Sequence, residues 1–559
     1  MMDELTEQHW DVIVVGTGMG GATIGHALAK AGKRVLFCEK GKSSWQTTTI
    51  KGRYPEASFE TPSVPQPHHL PILAEAGRDW KEIEDKSHAR PKSYLPFIGA
   101  GTGGSSALYG MALERFFPTD FTPRSAHFAA TDADLPESWP ITYSDMIPFY
   151  EAAEKLYRVR GEADALRGAE FRPDYLPPPP LTESAGKLRS YLQEQGCHPY
   201  RLPQACEFKP ECACCQGYLC PRDCKNDSSH ICLEPALKQY GAQLLDECEV
   251  LRLEADATRV TGVVCSYQGK TLTLRGSVVI LAAGALYTPA ILLASRSAEW
   301  PDGLANRSGL VGKNLMRHFV DLYVLRSGLK KGLDGRWKEI GFNDYYEGEA
   351  KLGSVQSFGA LPPAPLLVTA LQHELRQGPI PLVGSLFTLA KPLIQAYLQR
   401  VLSGGPIMAS ILEDLPYRKN RVEVAPCTGR LNLHYTIHPH DQDRIKQMRT
   451  RLRQLFKPFR PMLLSQAENN ERLAHACGTC RFGDDPATSV LDPNNRAHGV
   501  DNLYAIDASF FPSSGGINPA LTVAANALRV ASFIAMGAGS DVKTAKHPTY
   551  NSPGPRPAH

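Results

Sequence analysis

The segment DVIVVGTGMGGATIGHALAKAGKRVLFCEKG, residues 11–41, constrains the fold more than any other part of the chain. Residues 11–15 form a short, unbroken apolar run, the pattern of a parallel strand buried on both faces. Gly16, Gly18 and Gly21 follow as G-x-G-x-x-G, with Met19 and Gly20 between them. A helical stretch runs to about Lys30, and a second strand, RVLFCE, ends at Glu39. In such a βαβ unit one glycine makes the tight turn, one admits the pyrophosphate and one lets helix and strand pack closely. The helix N-terminus offers free N–H groups to phosphate. An acid at position 39 accepts hydrogen bonds from ribose hydroxyls and disfavours a 2′-phosphate. The unit therefore binds a dinucleotide, FAD or NAD rather than NADP, and by itself does not choose between the first two.

A chain of 559 residues is too long for one hydrophobic core, so two domains are expected. Formal net charge is +3, from 61 bases and 58 acids with no long basic run, which argues against nucleic acid or an acidic membrane surface as partner. The opening MMDELTEQHWD is acidic and polar, unlike a signal peptide, and no apolar run is long enough to span a bilayer. The expectation is a cytoplasmic protein that meets a membrane only through a partner.

Residues 47–95, rich in Pro, His and charge, read as an excursion from the nucleotide fold. Residues 96–121 begin with a Gly-rich loop, and an amphipathic helix is expected around 146–157. The Pro-rich stretch 173–180 reads as a link between lobes. Residues 243–253 and 270–283 read as strands, and 288–295 as the start of a helix. The apolar, proline-punctuated stretch 361–412 reads as amphipathic core helices of a second domain, with a membrane-surface or hydrophobic-substrate flap as the alternative. The tail 541–559 reads as disordered.

Near the other end, HACGTCRFG is followed by VDNLYAIDASFFPSSGGINPALTVAANALRVASFI, which supplies His475 and Asn518. With these segments, with GTGGSSALYGMALERF (101–116) and with GALYTPAILLAS (284–295), the chain resembles the glucose–methanol–choline (GMC) flavoprotein oxidoreductases over nearly its whole length. VGKNLMRH (311–318) and WPITYSDMIPFYEAAE (139–154) are weaker matches. The resemblance implies an α/β chain with a discontinuous Rossmann-like FAD-binding domain and an α+β substrate domain, the PHBH-like arrangement. Residues 8–45, 96–160, 228–320 and 476–540 are assigned to the first, and 46–95, 161–227 and 321–475 to the second. It further implies that Gly103, Gly104 and Ser105 line the flavin and that Val250 sits by the adenine. Asp507 and Ala508 would meet the pyrophosphate and ribityl chain, and Asn518 and Pro519 the isoalloxazine. Where relatives commonly carry Asn, this chain has Tyr109, and Leu108 stands where some carry a flavin-linking His. A covalent histidyl–FAD bond is therefore not expected there.

The implied chemistry is oxidation of an alcohol or sugar CH–OH to a carbonyl, with hydride passing to flavin N5. The hydroxyl proton needs a base, and the His475 imidazole titrates in the right range. Asn518 would hold the substrate oxygen. His498 reads as a structural residue. A dehydrogenase passing electrons to a cytochrome, quinone or small partner subunit is the first expectation, with a dioxygen-using oxidase as the alternative. By analogy with sugar dehydrogenases, a signal-bearing partner would place the protein in the periplasm.

Seven of the 14 cysteines fall in CEFKPECACCQGYLCPRDCKNDSSHIC, residues 206–232. Zinc thiolate ligation, a disulfide framework and unliganded thiols are all open. A fourth reading comes from resemblance to the FAD sugar dehydrogenases, which implies a [3Fe-4S] cluster on Cys214, Cys220 and Cys224. Cys206, Cys212 and Cys232 are extra to that pattern. Cys477 and Cys480 form a C-x-x-C beside His475, read as packing residues rather than a redox pair.

Overall fold

The computed structural model describes residues 7–59, 66–168, 171–326, 329, 338–348, 350–359, 361–364, 366–368, 390–398, 400, 405–425, 428–471, 473 and 475–536. The expected disordered tail and most of 369–404 lie outside them.

The apolar run at the N-terminus becomes strand His9–Val15, central in a seven-stranded sheet. It pairs in parallel with Val35–Cys38 on one side and Lys270–Leu281 on the other. Gln243–Leu245 extends the parallel set beyond Val35–Cys38, and Leu503–Ala505 pairs in parallel with Lys270–Leu281. Val260–Tyr267 and Cys248–Ala255 complete the sheet as an antiparallel meander. The expected single strand over 243–253 is thus two strands. Asp246 and Glu247 break it, and Glu247 adopts φ +52°, outside the range a strand tolerates. Helix Met19–Lys30 packs on helix Ala520–Met536, which also packs on helix Tyr143–Leu156. The last is the amphipathic helix expected around 146–157. It begins earlier because Thr142 caps it, accepting from Asp145 N at 3.2 Å while the Asp145 carboxylate accepts from Thr142 N at 2.8 Å.

A second sheet orders Met462–Leu464, Phe319–Val324, Ile407–Leu412, Gly353–Ser357, Ile340–Phe342 and Tyr200–Arg201, every pair antiparallel. Ile407–Leu412 is fully buried strand, which corrects the helical reading of the end of the 361–412 stretch. A short apolar run has no periodicity to separate the two states. Residues Ile445, Met448 and Leu452 of helix Pro439–Leu455 share a core with Phe319 and Tyr323 of this sheet. A third, four-stranded sheet orders Arg421–Val424, Leu431–His434, Ile83–Asp85 and Lys92–Tyr94. Among the described residues no helix is long and apolar enough to cross a membrane.

Candidate active site

A cavity of about 360 Å³ runs from the ends of the parallel strands to His475, Asn518 and Lys338, the last just before strand Ile340–Phe342 of the antiparallel sheet. Its nucleotide end is built by the glycine turn. A Cβ on Gly21 would fall 2.0 Å from Gly16 O, so only glycine lets the helix start so close to the strand. Gly18 has open space where its Cβ would stand, on the cavity side. Glu39 lines this end, buried, with Oε2 accepting from Thr17 N at 3.0 Å and Thr17 Oγ1 at 2.6 Å, and Oε1 from Gly41 N at 3.1 Å. Burial pushes its carboxyl up, and those donors oppose the shift.

Gly16, Met19, Gly20, Gly104, Ser105, Val250, Asp507, Ala508 and Pro519 also line the cavity, together with His475 and Asn518. Gly21 and Gly103 lie behind the wall. Gly103 has φ +88°, and its missing Cβ leaves room for Ser229, which a Cβ would approach to 3.1 Å. Asp507 ties the C-terminal loop to helix Gly284–Ala294: its Oδ2 accepts from Gly284 N at 2.9 Å and from Thr288 Oγ1, and its Oδ1 from Ser509 N. The glycine cradle, the ribose-side carboxylate and a cavity reaching the far sheet fit FAD, whose pyrophosphate would lie at the Gly16–Gly20 turn.

At the far end, backbone pairing positions the catalytic candidates. Met316 and Cys477 exchange two hydrogen bonds, Met316 N to Cys477 O at 3.0 Å and Cys477 N to Met316 O at 2.9 Å. In this antiparallel bridge, residues two places outward face each other on the same side, which sets His318 opposite His475. Their Nδ1 atoms lie 2.8 Å apart, with ring planes at 81°. His318 Nε2 is 3.2 Å from Ser514 O. A carbonyl only accepts, so His318 carries its proton on Nε2. Burial pulls its pKa down to about 4, so the ring is neutral and its Nδ1 can only accept. His475 must then donate from Nδ1, which leaves the Nε2 lone pair free. The His475 ring opens onto the cavity but sits deep in the protein. Burial first, and then the proximity of the His318 ring and the Lys338 ammonium, hold it well below the usual imidazole range. Its backbone is left-handed, φ +61°, a conformation uncommon outside glycine and concentrated at functional sites.

Asn518 is buried and pinned from the opposite wall, donating from Nδ2 to Gln356 Oε1 at 2.9 Å. Ser354 N donates to Gly516 O at 3.1 Å, so the strand carrying Gln356 holds the loop carrying Asn518. Glu114 hydrogen-bonds Asn518 and Tyr200 behind this wall, and burial pushes its carboxyl up to about 7. Tyr109, at the position that departs from the family pattern, lines the cavity and donates its hydroxyl to Asn226 O at 2.8 Å. Sequence reasoning missed His318, Gln356, Glu114 and Lys338. The VGKNLMRH match ending in His318 was the one signal within reach. His498 accepts from or donates to Ser489 Oγ at 2.8 Å and lies off the cavity. Cys477 and Cys480 are buried free thiols.

The cysteine segment packs with Met111 behind the cavity wall. Lys225 fastens it, donating to Ala107 O at 2.7 Å and Tyr218 O at 3.2 Å. The expected trio Cys214, Cys220 and Cys224 sits within one network of thiols that, among the described residues, offers no group able to hold a metal ion. Cys212 lies 3.8 Å from Cys206 and 4.0 Å from Cys214, while Cys220 faces Cys215 and Cys224. Hydrogen bonds with Cys206 and Cys212, then burial, hold the Cys214 thiol well above its usual range, and those with Cys212 and Cys220 do the same for Cys224. The same sulfur–sulfur contacts hold Cys212 and Cys220 well below the usual thiol range, so the segment is a coupled network in which some thiols are favoured as thiolates and others as protonated donors. Among the described residues no group of three His, Cys, Asp or Glu could hold a metal ion. Cys232 stands apart, 3.4 Å from Tyr157 Oη.

Family models described as GMC oxidoreductase match residues 189–320 and 416–527, and one described as FAD binding domain matches 11–52. The 6'''-hydroxyparomomycin C oxidase of Streptomyces lividus is 28% identical over 95% of this chain and 92% of its own. The 2-methyl-1,2-propanediol dehydrogenase of Mycolicibacterium austroafricanum is 25% identical over 94% of this chain and 95% of its own. Among solved structures, pyridoxine 4-oxidase superposes with a TM-score of 0.63 at 18% identity, covering 94% of this chain and 98% of that one. With the glycine turn, the sheet architecture and the matched N- and C-terminal regions in place, the chain belongs to the GMC oxidoreductases, FAD-dependent enzymes that oxidise alcohol hydroxyl groups.

Proposed function

We propose that this protein oxidises a primary or secondary alcohol, free or on a sugar, to the carbonyl, with His475 as the base and Asn518 orienting the alcohol oxygen. The observation that carries the proposal is the His318–His475 pair, which leaves a neutral Nε2 lone pair at the cavity end. When bound, FAD supplies the hydride acceptor. His475 Nε2 takes the hydroxyl proton as the C–H bond breaks. The imidazolium that forms keeps its Nδ1–H on His318, a hydrogen bond that strengthens as charge develops. The Asn518 amide, held by Gln356, restricts the alcohol to one approach. The nucleotide and substrate ends lie in one cavity.

Electrons leave to an acceptor outside the chain. Among the described residues no metal-holding group supports a relay through a cluster. An alcohol panel mixed anaerobically with the enzyme should bleach the flavin absorbance. His475→Ala with full flavin content should slow that bleaching at least about a hundredfold, at the low end of what a general base contributes. Equal bleaching in the variant would sink the assignment. Oxygen uptake measured beside reduction of a soluble dye then separates dioxygen from a protein carrier, such as a cytochrome or small subunit.

A further inference from the structure

The substrate end of the cavity holds a lysine for which no counter-ion stands among the described residues. Lys338 enters just before strand Ile340–Phe342 and is 8% exposed, yet it lines the cavity together with His475, Asn518 and Tyr109. Its Nζ lies against Gly110, where a Cβ would stand 2.6 Å from it and 2.7 Å from Gln216 Oε1. The Phe358 ring is 5.7 Å away. The other lysine of the lining, Lys40, behaves differently: it is at the nucleotide end and is ion-paired with Asp79 at 2.8 Å. Among the described residues no carboxylate lies within ion-pair distance of Lys338. Glu114 acts on it only through space, and that carboxyl is turned to Tyr200 and Asn518.

A buried ammonium without a partner is unfavourable unless something completes it. Burial pulls this one down to about 8, so it is still mostly protonated at neutral pH. The pyrophosphate cannot serve, because the glycine turn that would hold it is at the other end of the cavity. What remains is the ligand. We infer that Lys338 binds a carboxylate on the substrate, so that the alcohol oxidised here belongs to a hydroxy acid. Met111, Ala112 and Leu473 of the same lining are apolar. A polycationic alcohol is disfavoured by the same charge. This rests on the reading of His475 as base at the same cavity end.

The test compares hydroxy acids with uncharged counterparts: glycerate with glycerol, gluconate with sorbitol, hydroxymethylbenzoate with benzyl alcohol. In the wild-type holoenzyme the acid of at least one pair should show kcat/KM about tenfold or more above its neutral partner, mainly through KM, the scale of one charged hydrogen bond. In Lys338→Met that ratio should fall to about one. Acetate, which has no alcohol to oxidise, should perturb the oxidised flavin spectrum of the wild type and not of the variant. If Lys338→Met does not retain flavin, Lys338→Gln replaces it. Equal turnover of acids and neutral alcohols by the wild type overturns the inference, and so does an acid preference that survives loss of the lysine. If no alcohol of either kind reduces the flavin, it is the proposed function that fails.

Discussion

Replacing His318 with leucine removes the acceptor for His475 Nδ1 without touching any residue of the cavity lining. In the ground state the change leaves one buried N–H unpaired, at a cost of about 1–3 kcal/mol. In the transition state the imidazolium of His475 loses a charge-assisted hydrogen bond now seen at 2.8 Å, worth about 1.5–3 kcal/mol. Only the excess of the second loss over the first slows turnover; taken as about 1–2 kcal/mol, at about 1.4 kcal/mol per factor of ten, it corresponds to a fall in kcat of roughly 5- to 30-fold. KM should change less, because His318 meets no ligand. The assay is stopped-flow reduction of the flavin by a saturating alcohol, with flavin content read from the visible spectrum and folding from the melting temperature. The wild-type pH profile provides a second readout. His475 must be neutral to act, and its pKa is depressed, so reduction should be flat through neutral pH and fall only in acid as the ring protonates. Without the His318 anchor the ring can rotate or exchange tautomers. Turnover within about twofold of wild type, with full flavin and the same profile, would refute the argument that His318 sets the tautomer.

Other expectations are simpler to check. Gly21→Val should abolish flavin retention, because its Cβ would sit 2.0 Å from Gly16 O; a yellow, flavin-saturated variant would contradict the cradle. Lys351→Met leaves Asp120 and Glu413 buried without their shared cation, Glu413 at 2.8 Å, and should destabilise the fold by about 3–5 kcal/mol in chemical denaturation. His127 and His318 are both pulled from an ordinary 6.5 to about 4 by burial, so between these pH values the unfolded chain binds more protons than the folded one. Their contribution, up to about 3 kcal/mol each, is fully present above pH 6.5 and is lost as pH falls towards 4; a melting temperature flat across that window would rule it out. Metal analysis of anaerobically purified protein should return no stoichiometric iron, and three irons per flavin would show that the thiols rearrange around a cluster.

The nucleotide end was legible in the chain because its chemistry is local. A strand, a glycine turn, a helix and Glu39 lie within one continuous segment, and backbone sterics alone dictate why Gly21 cannot carry a side chain. His475 and Asn518 were legible for a different reason, the resemblance of the segments around them to a family. Their partners were not. His318 and His475 are far apart in sequence and meet through the Met316–Cys477 bridge, and Gln356 reaches Asn518 only once the second sheet is folded. No periodicity encodes such a pairing, since it depends on strand register. The cysteine segment shows the opposite failure. Its resemblance to the sugar dehydrogenases implied three ligands, but how the thiols meet is set by the packing around Met111 and Lys225. The sequence determined that a dinucleotide is bound, and where. The tertiary structure decided which nitrogen of His475 is free, what holds Asn518 still and that Lys338 lines the same cavity, because each of these is a juxtaposition of residues that only the completed core brings together.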